Sequence, residues 1–325
     1  MPNITIAAGA AFLNDQSRTF GPEIRTQILQ GLEMENNLLV PKMSDGEFYV
    51  VERAVSGQML QPYQGGYTPT GSVSHGETSI RVRPIKMDMD WTETDLKKWW
   101  DAYQGSRFEA GRDPQSWTFP KYIYDRVLLP KLHSELNAIA WDGSYVAPTA
   151  GTPGAVLASV DGFKKVIADA VTATSINVVA TGVFTDADIR EKVEAFLDAI
   201  PSEVTNLGGK ILMSVPNRRR YFRDYRAEFT QSMNGPFAQN NGPQKVFVDD
   251  YNVEIVGVQA MGSSNRWIFV PNTQADNMSF IGRQGYALYP EIIFDNSPRI
   301  LHMYCTIYRG YGFEAPQDIY VNNQV

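Results

Sequence analysis

At 325 residues, 43% hydrophobic and 12% aromatic, the chain can bury a substantial core and is long enough for two lobes. A net charge of −7 disfavours a generally basic nucleic-acid binder. The single cysteine, Cys305, excludes an internal disulfide, no apolar run reaches membrane-spanning length, and Met1–Leu13 lacks the basic and apolar regions of a signal peptide.

Residues 1–20 are small, polar and weakly patterned, and read as an extended arm. Pro22 opens a short amphipathic helix with Ile24, Ile28 and Leu32 in register, closed by Asn36, Asn37 and Pro41. Such an arm is either a tether on a partner or a frayed terminus. The stretch from Ser44 to Trp91 is the most informative. Apolar strands at Phe48–Val55 and Ile80–Trp91 flank a centre, Ala54 to Gly76, without Asp, Glu, Lys or Arg. That centre holds Gly57, Gly65, Gly66, Gly71, Gly76, Pro62 and Pro69, with Met59, Leu60, Tyr63 and Tyr67 among them. The pattern predicts an antiparallel ribbon and its tip. A lone ribbon is marginal in water, so it either folds back over its own domain or crosses onto a second copy of the chain. Ile85, Met87, Met89 and Trp91 alternate with Lys86, Asp88 and Asp90, whereas Ile80 and Val82 have the opposite parity. The buried face flips at Pro84, as though one strand served two surfaces.

A short helix follows, with Leu96, Trp99, Trp100 and Tyr103 on one face and Glu93 and Asp95 at its start. Asp88, Asp90, Glu93 and Asp95 lack the glycine and glutamate spacing of a calcium loop. The longest helix runs roughly from Trp117 to Trp141, with Pro120 in its first turn and Pro130 placed to bend it. Residues 143–154 read as a soft connection. The segment 155–283 reads as an α/β lobe: a helix over Val160–Val171, a strand over Ser175–Thr181, and a helix capped by Thr185 with Ile189, Val193, Phe196, Leu197 and Ile200 on its apolar face. A strand Lys210–Val215 leads into a helix carrying Arg218, Arg219, Arg220, Arg223 and Arg226, and strands Val246–Val248, Val253–Val258 and Trp267–Val270 follow. From Tyr286 to Tyr320 two strands, Ile292–Phe294 and Ile300–Tyr308, flank a turn at Asp295–Pro298.

No catalytic constellation emerges. His75, His133 and His302 are far apart and none has metal-ligand spacing. Cys305 and His302, three apart on a strand, point to opposite faces. Phosphate-loop, dinucleotide and nucleophile-elbow motifs are absent. Asn3-Ile4-Thr5 and Asn277-Met278-Ser279 match the glycosylation pattern by chance. The arginine helix is the one charge cluster: either a phosphate contact, an ion-pair seam with a neighbouring subunit, or a solvated face, with Asp224 and Glu228 favouring ion pairs over DNA. The candidate site residues are therefore intersubunit contacts: Met59, Leu60, Tyr63, Tyr67, Arg218, Arg219, Arg220 and Arg223.

The order of arm, ribbon, bent helix, α/β lobe and closing strand pair resembles the major capsid protein of tailed bacteriophages, the Hong Kong 97-type fold. The passages Ile211–Tyr225 and Asp250–Met261 are similar to axial-domain passages of that family. The resemblance implies an α+β chain with an N-terminal arm (1–43), an extended β-hairpin loop, the E-loop (44–91), a peripheral domain with a long spine helix (92–154 and the closing strands 284–325) and an axial domain (155–283). It implies a non-enzymatic structural protein that self-assembles into hexamers and pentamers of an icosahedral head around double-stranded DNA. Partners would be scaffold and portal proteins, with no cofactor, metal or membrane; the subunits would assemble in the host cytoplasm and reside in the virion. Some members weld subunits through a loop lysine, but no lysine lies between Lys42 and Lys86. The short stretch before the ribbon implies a separate scaffold or a segment already removed. Two alternatives stay open: an encapsulin-like compartment shell, and, from another class, a soluble α/β enzyme or glycan-binding module.

Overall fold

The computed structural model describes residues 34–35, 38–56, 60–63, 66, 73–106, 119–228, 247–248, 251–272, 277–283, 291–295 and 300–324. Strands β1 (Val40–Ser44), β2 (Phe48–Ser56), β3 (Val73–Arg81) and β4 (Arg83–Thr92) come first. Helix α1 (Glu93–Ser106) follows, then a long helix in which α2 (Phe119–Ile123) and α3 (Leu129–Asp142) are joined by a π-helical turn, Tyr124–Leu128. The next elements are α4 (Phe163–Thr172), β5 (Asn177–Val179), α5 (Ile189–Asp198), α6 (Ser202–Thr205), β6 (Gly209–Ser214), α7 (Val215–Glu228) and β7 (Val253–Val258). Strands β8 (Ile268–Pro271), β9 (Met278–Arg283), β10 (Glu291–Asp295), β11 (Ile300–Phe313) and β12 (Tyr320–Asn322) complete the order. The helix expected near Pro22 and the turn after Asp295 lie outside the described residues.

The described strands form two five-stranded sheets and a separate two-stranded ribbon, β2–β3. In the first sheet β11 is the axis. Its residues 300–309 pair antiparallel with β4, residues 300–304 also pair with β10, and residues 310–313 pair with β9, which carries β1 on its far side. The closing strands are thus part of a larger sheet than the two-stranded unit expected, because β11 runs past Tyr308 and there finds β9. Alternation sets the faces. Leu301 and Met303 are buried with Trp91, against Ile123, Leu128, Leu129 and Leu136 of the long helix. Thr92 and Asp95 cap the start of α1 reciprocally, with Thr92 Oγ1 donating to Asp95 Oδ2 at 2.7 Å; these hydrogen bonds hold the Asp95 carboxyl below its ordinary range.

The long helix passes through Pro130 without ending. Leu128 keeps helical dihedrals (φ −84°, ψ −52°). The ring removes one backbone donor and crowds the carbonyl four residues back, and the wide π turn just before it absorbs the misfit.

The second sheet has the order β5-β12-β8-β6-β7. Both faces are covered, which explains the unbroken apolar run in β6. Leu212, Ile268 and Val270 face α4 and the end of α3, in a core shared with Phe280, Tyr311 and Phe313 of the first sheet. Ile211, Met213, Trp267 and Phe269 face α5 and α7. Thr185 does not cap α5. Its amide and hydroxyl both donate to Asp188 Oδ1, and this extra turn moves the helix start to Ile189. The strand expected at Val246–Val248 is reduced, in its described part, to one bridge between Phe247 and Glu254. Asn277 is buried, its side chain bonded both ways to the Ala315 backbone at 2.7 Å, so the glycosylation match there is closed off.

Two contacts join the parts. Where 143–154 read as soft, the segment begins at a tight seam. The Gly162 amide donates to the Gly143 carbonyl at 2.9 Å, and a Cβ on Gly143 or Gly162 would sit 2.4 Å from the carbonyl oxygen of Val160 or Ile139 respectively. The second is a buried ion pair. Glu35, beyond the reach of any sequence pattern, accepts at Oε1 from Arg309 Nε (3.0 Å) and from the Tyr311 hydroxyl (2.8 Å). All three are nearly inaccessible to solvent. Burial pushes the Tyr311 phenol well above its ordinary range, and the Glu35 carboxylate adds to the shift.

Gly143→Ala or Gly162→Ala is expected to destabilise the fold by about 1–3 kcal/mol, read as a lower urea midpoint. Glu35→Ala, which strands the Arg309 charge in the interior, is expected to lose about 3–5 kcal/mol in the same titration; an unchanged midpoint would show that the pair contributes nothing.

Candidate interaction surface

The ribbon is built from its root outwards. Phe48 to Ser56 of β2 pair with Arg81 to Val73 of β3 in unbroken antiparallel register. At the root, Ile80 and Val82 are buried with Ile281 of β9, and Tyr49 and Tyr308 pack against them. The parity change lies between Val82 and Arg83: among the described residues β3 pairs only with β2, while β4 pairs with β11. Pro84 sits in β4, whose ladder partner is β11 on one side only, where its missing donor does no harm.

What lets β3 leave the body is a pair of glycines. A Cβ on Gly310 would lie 2.5 Å from the Arg81 carbonyl oxygen, and one on Gly312 would lie 2.8 Å from Ile80 Cγ1. The intervening residues of this Arg-Gly-Tyr-Gly-Phe run point the other way, Arg309 and Tyr311 to Glu35 and Phe313 to Phe163. Alternate glycines in a strand are the sequence signal that went unread. They mark a surface where another backbone approaches closely.

At its root the ribbon also turns apolar groups outward. Phe48 and Val50 are about half exposed. An ion pair between Arg81 and Glu47, with the Arg81 guanidinium 5.4 Å from the Phe48 ring, steadies this end. At nine residues per strand the ribbon spans about 30 Å. In the tip, Leu60 is 87% and Tyr63 99% exposed. Met59 and Tyr67 lie outside the described residues.

The arginines divide. Arg218 lies against β7 with its guanidinium 5.4 Å from the Phe222 ring. Arg220 pairs with Asp186 at 3.0 Å. Arg219 and Arg223 are exposed. The structure therefore does not bring the described candidates into one patch: Leu60 and Tyr63 of the ribbon tip and the arginine helix belong to separate elements.

No other constellation competes. Among the described residues no three His, Cys, Asp or Glu side chains group to hold a metal, and no helix is long and apolar enough to cross a membrane. His302 is paired with Asp90 across the β4–β11 ladder at 2.6 Å. Cys305 is buried on the opposite face, and desolvation pushes its thiol up to about 11, so it stays protonated and inert.

No family model matches the sequence, and no curated protein matches it. Solved structures do match. A chain of the satellite phage P4 procapsid, a particle that includes the size determination (Sid) protein, aligns over 93% of this chain and 89% of its own length at TM-score 0.55 and 10% identity. A chain from Gordonia phage Cozz aligns over 90% and 86% at TM-score 0.54 and 9% identity. The chain shares the Hong Kong 97-type capsid fold. The encapsulin complex holo-SrpI from Synechococcus elongatus PCC 7942 also aligns, over 88% and 84%, at TM-score 0.46 and 9% identity. Within this mixed α+β fold the ribbon root is the point where a long element departs from the body. Gly310→Val should displace it: limited proteolysis is expected to cut within 48–81 at least several-fold faster than in the parent chain, while the far-ultraviolet circular dichroism stays close to native. Equal cutting rates would mean that the glycine crossing does not hold the ribbon.

Proposed function

We propose that the chain is a shell-forming capsid subunit, the major capsid protein of a tailed double-stranded DNA phage, whose work is association rather than chemistry. The observation that carries this reading is the two-stranded ribbon: uncharged at its tip, with half-exposed Phe48 and Val50 at its root, paired with no third strand among the described residues, and rooted in a body with a capsid fold. A ribbon of this kind gains stability only when something covers it. In this reading it is the extended loop of the fold, covered by a neighbouring copy. The long helix Phe119–Asp142 is the spine, the lobe 155–283 is the axial domain, 92–154 and 284–325 make up the peripheral domain, and 1–43 is the arm.

Head-to-tail contacts that close into rings give hexamers and pentamers, and these tile an icosahedral shell. Obligate contacts of this sort commonly bury more than about 2,000 Å², and repetition over the lattice makes modest contacts sufficient. With no lysine between Lys42 and Lys86, the ribbon has no amine for a covalent weld, so non-covalent contacts hold the shell. Scaffold and portal proteins, the packaged DNA, assembly in the host cytoplasm and residence in the virion follow from the same reading.

Size-exclusion chromatography followed by negative-stain imaging tests it. The parent chain is expected as capsomers or hollow particles. Replacing Gln58–Ser72 by an Asn-Gly turn should leave a folded subunit that forms no closed shell. Intact shells from that variant, or a stable monomer from the parent chain at high concentration, would remove the proposal. Nucleic acid inside the particles supports the phage head, and protein cargo without nucleic acid supports an encapsulin-like compartment.

A further inference from the structure

Helix α7 exposes Arg219, Arg223 and Arg226 at positions i, i+4 and i+7, a single stripe about 10 Å long. Nothing described in the chain neutralises it. Arg220 takes Asp186, and Asp224, the acidic residue nearest the stripe in sequence, accepts from the Arg190 amide at 3.0 Å instead. Arg223 and Arg226 fold back only onto helix carbonyls, Nε donating to Arg219 O at 3.4 Å and to Phe222 O at 3.3 Å. Three like charges one turn apart repel one another, so the stripe is strained in the isolated subunit.

Helix α5 packs beside α7 over the same face of the second sheet. It exposes Glu191 and Asp198, seven residues apart and therefore spanning the same 10 Å, with small, exposed Ala195 between them. Asp198 accepts from the Tyr251 hydroxyl, Glu194 is held by Arg190 at 2.6 Å, and Lys192 lies beside Asp188. The lobe thus carries a basic and an acidic stripe of matching length, side by side, with no ion pair between them among the described residues.

We propose that the Arg219–Arg223–Arg226 stripe of one copy docks on the Glu191–Asp198 stripe of the next. The two stripes lie side by side, so two copies meeting face to face satisfy both at once, a self-complementary contact. It rests on the shell reading above and adds which faces meet and what steers them. Complementary charge of this sort speeds encounter and fixes register, and it is screened by salt.

The test uses two charge-reversed full-length variants: Arg219→Glu with Arg223→Glu, and Glu191→Lys with Asp198→Lys. Circular dichroism checks that each is folded, and sedimentation velocity with negative stain at low and high salt reads assembly. Each variant alone is expected to weaken association at least tenfold at low salt, because like stripes then face each other. A one-to-one mixture is expected to recover it, since each contact between unlike variants sets an acidic stripe against a basic one. Either variant assembling like the parent chain, or a folded mixture doing no better than its components, overturns the contact and leaves the shell reading standing. A parent chain that stays monomeric overturns both. A variant of the arginine stripe that assembles normally but no longer retains duplex DNA assigns the stripe to phosphate and likewise overturns it.

Discussion

Strand β11 changes partners part-way along its length, and the arrangement of the chain around it follows from that change. Ten of its residues are claimed by β4 and the last four by β9. The chain that runs back from β4 therefore has no place left in the sheet when it reaches Val82. It crosses β11 over Gly310 and Gly312 and continues as β3, with only β2 to pair with. At the changeover, Arg309 and Tyr311 of β11 reach Glu35 on the other side. One short passage thus holds the chain before β1, the ribbon root and both sheets. Its buried charge pair makes the arrangement intolerant of slippage, because a one-residue shift would exchange the glycines with the arginine.

Much of this was legible in the residues. Period-two alternation in Ile85–Trp91 and Leu301–Ile307 gave the buried face of the first sheet, and the parity change near Pro84 showed that one strand serves two surfaces. The order of elements was enough to suggest the capsid fold, and the structural matches support that likeness at identities near 10%, where sequence comparison finds nothing. Other features could not be read because they depend on residues distant in the chain. Glu35 is an ordinary polar residue until Arg309, 274 positions away, is placed beside it. Thr185 looked like a helix cap, since nothing local distinguishes it from Asp188 three residues on. Gly143 read as the start of a soft connection and Gly162 fell inside an expected helix; only their mutual contact shows why neither can carry a side chain.

The candidate contacts divide along the same line. Composition alone singled out the tip, because a charge-free run with tyrosines has no business in solvent by itself. The arginine helix was ambiguous for a physical reason: a helix spreads consecutive arginines around its axis, and only the folded lobe shows which are consumed. Arg218 and Arg220 are used internally, and the exposed remainder, with Arg226, forms a stripe that faces outward beside an acidic one.

The account turns on where the ribbon finds its cover. Hydrogen–deuterium exchange over peptides within 48–81, followed as a function of chain concentration, addresses this most directly. Fast exchange at the tip in dilute subunits, slowing as particles form while the lobe peptides stay unchanged, is the predicted result. Protection of the tip already complete in a lone subunit would place its cover on the same chain and contradict the account.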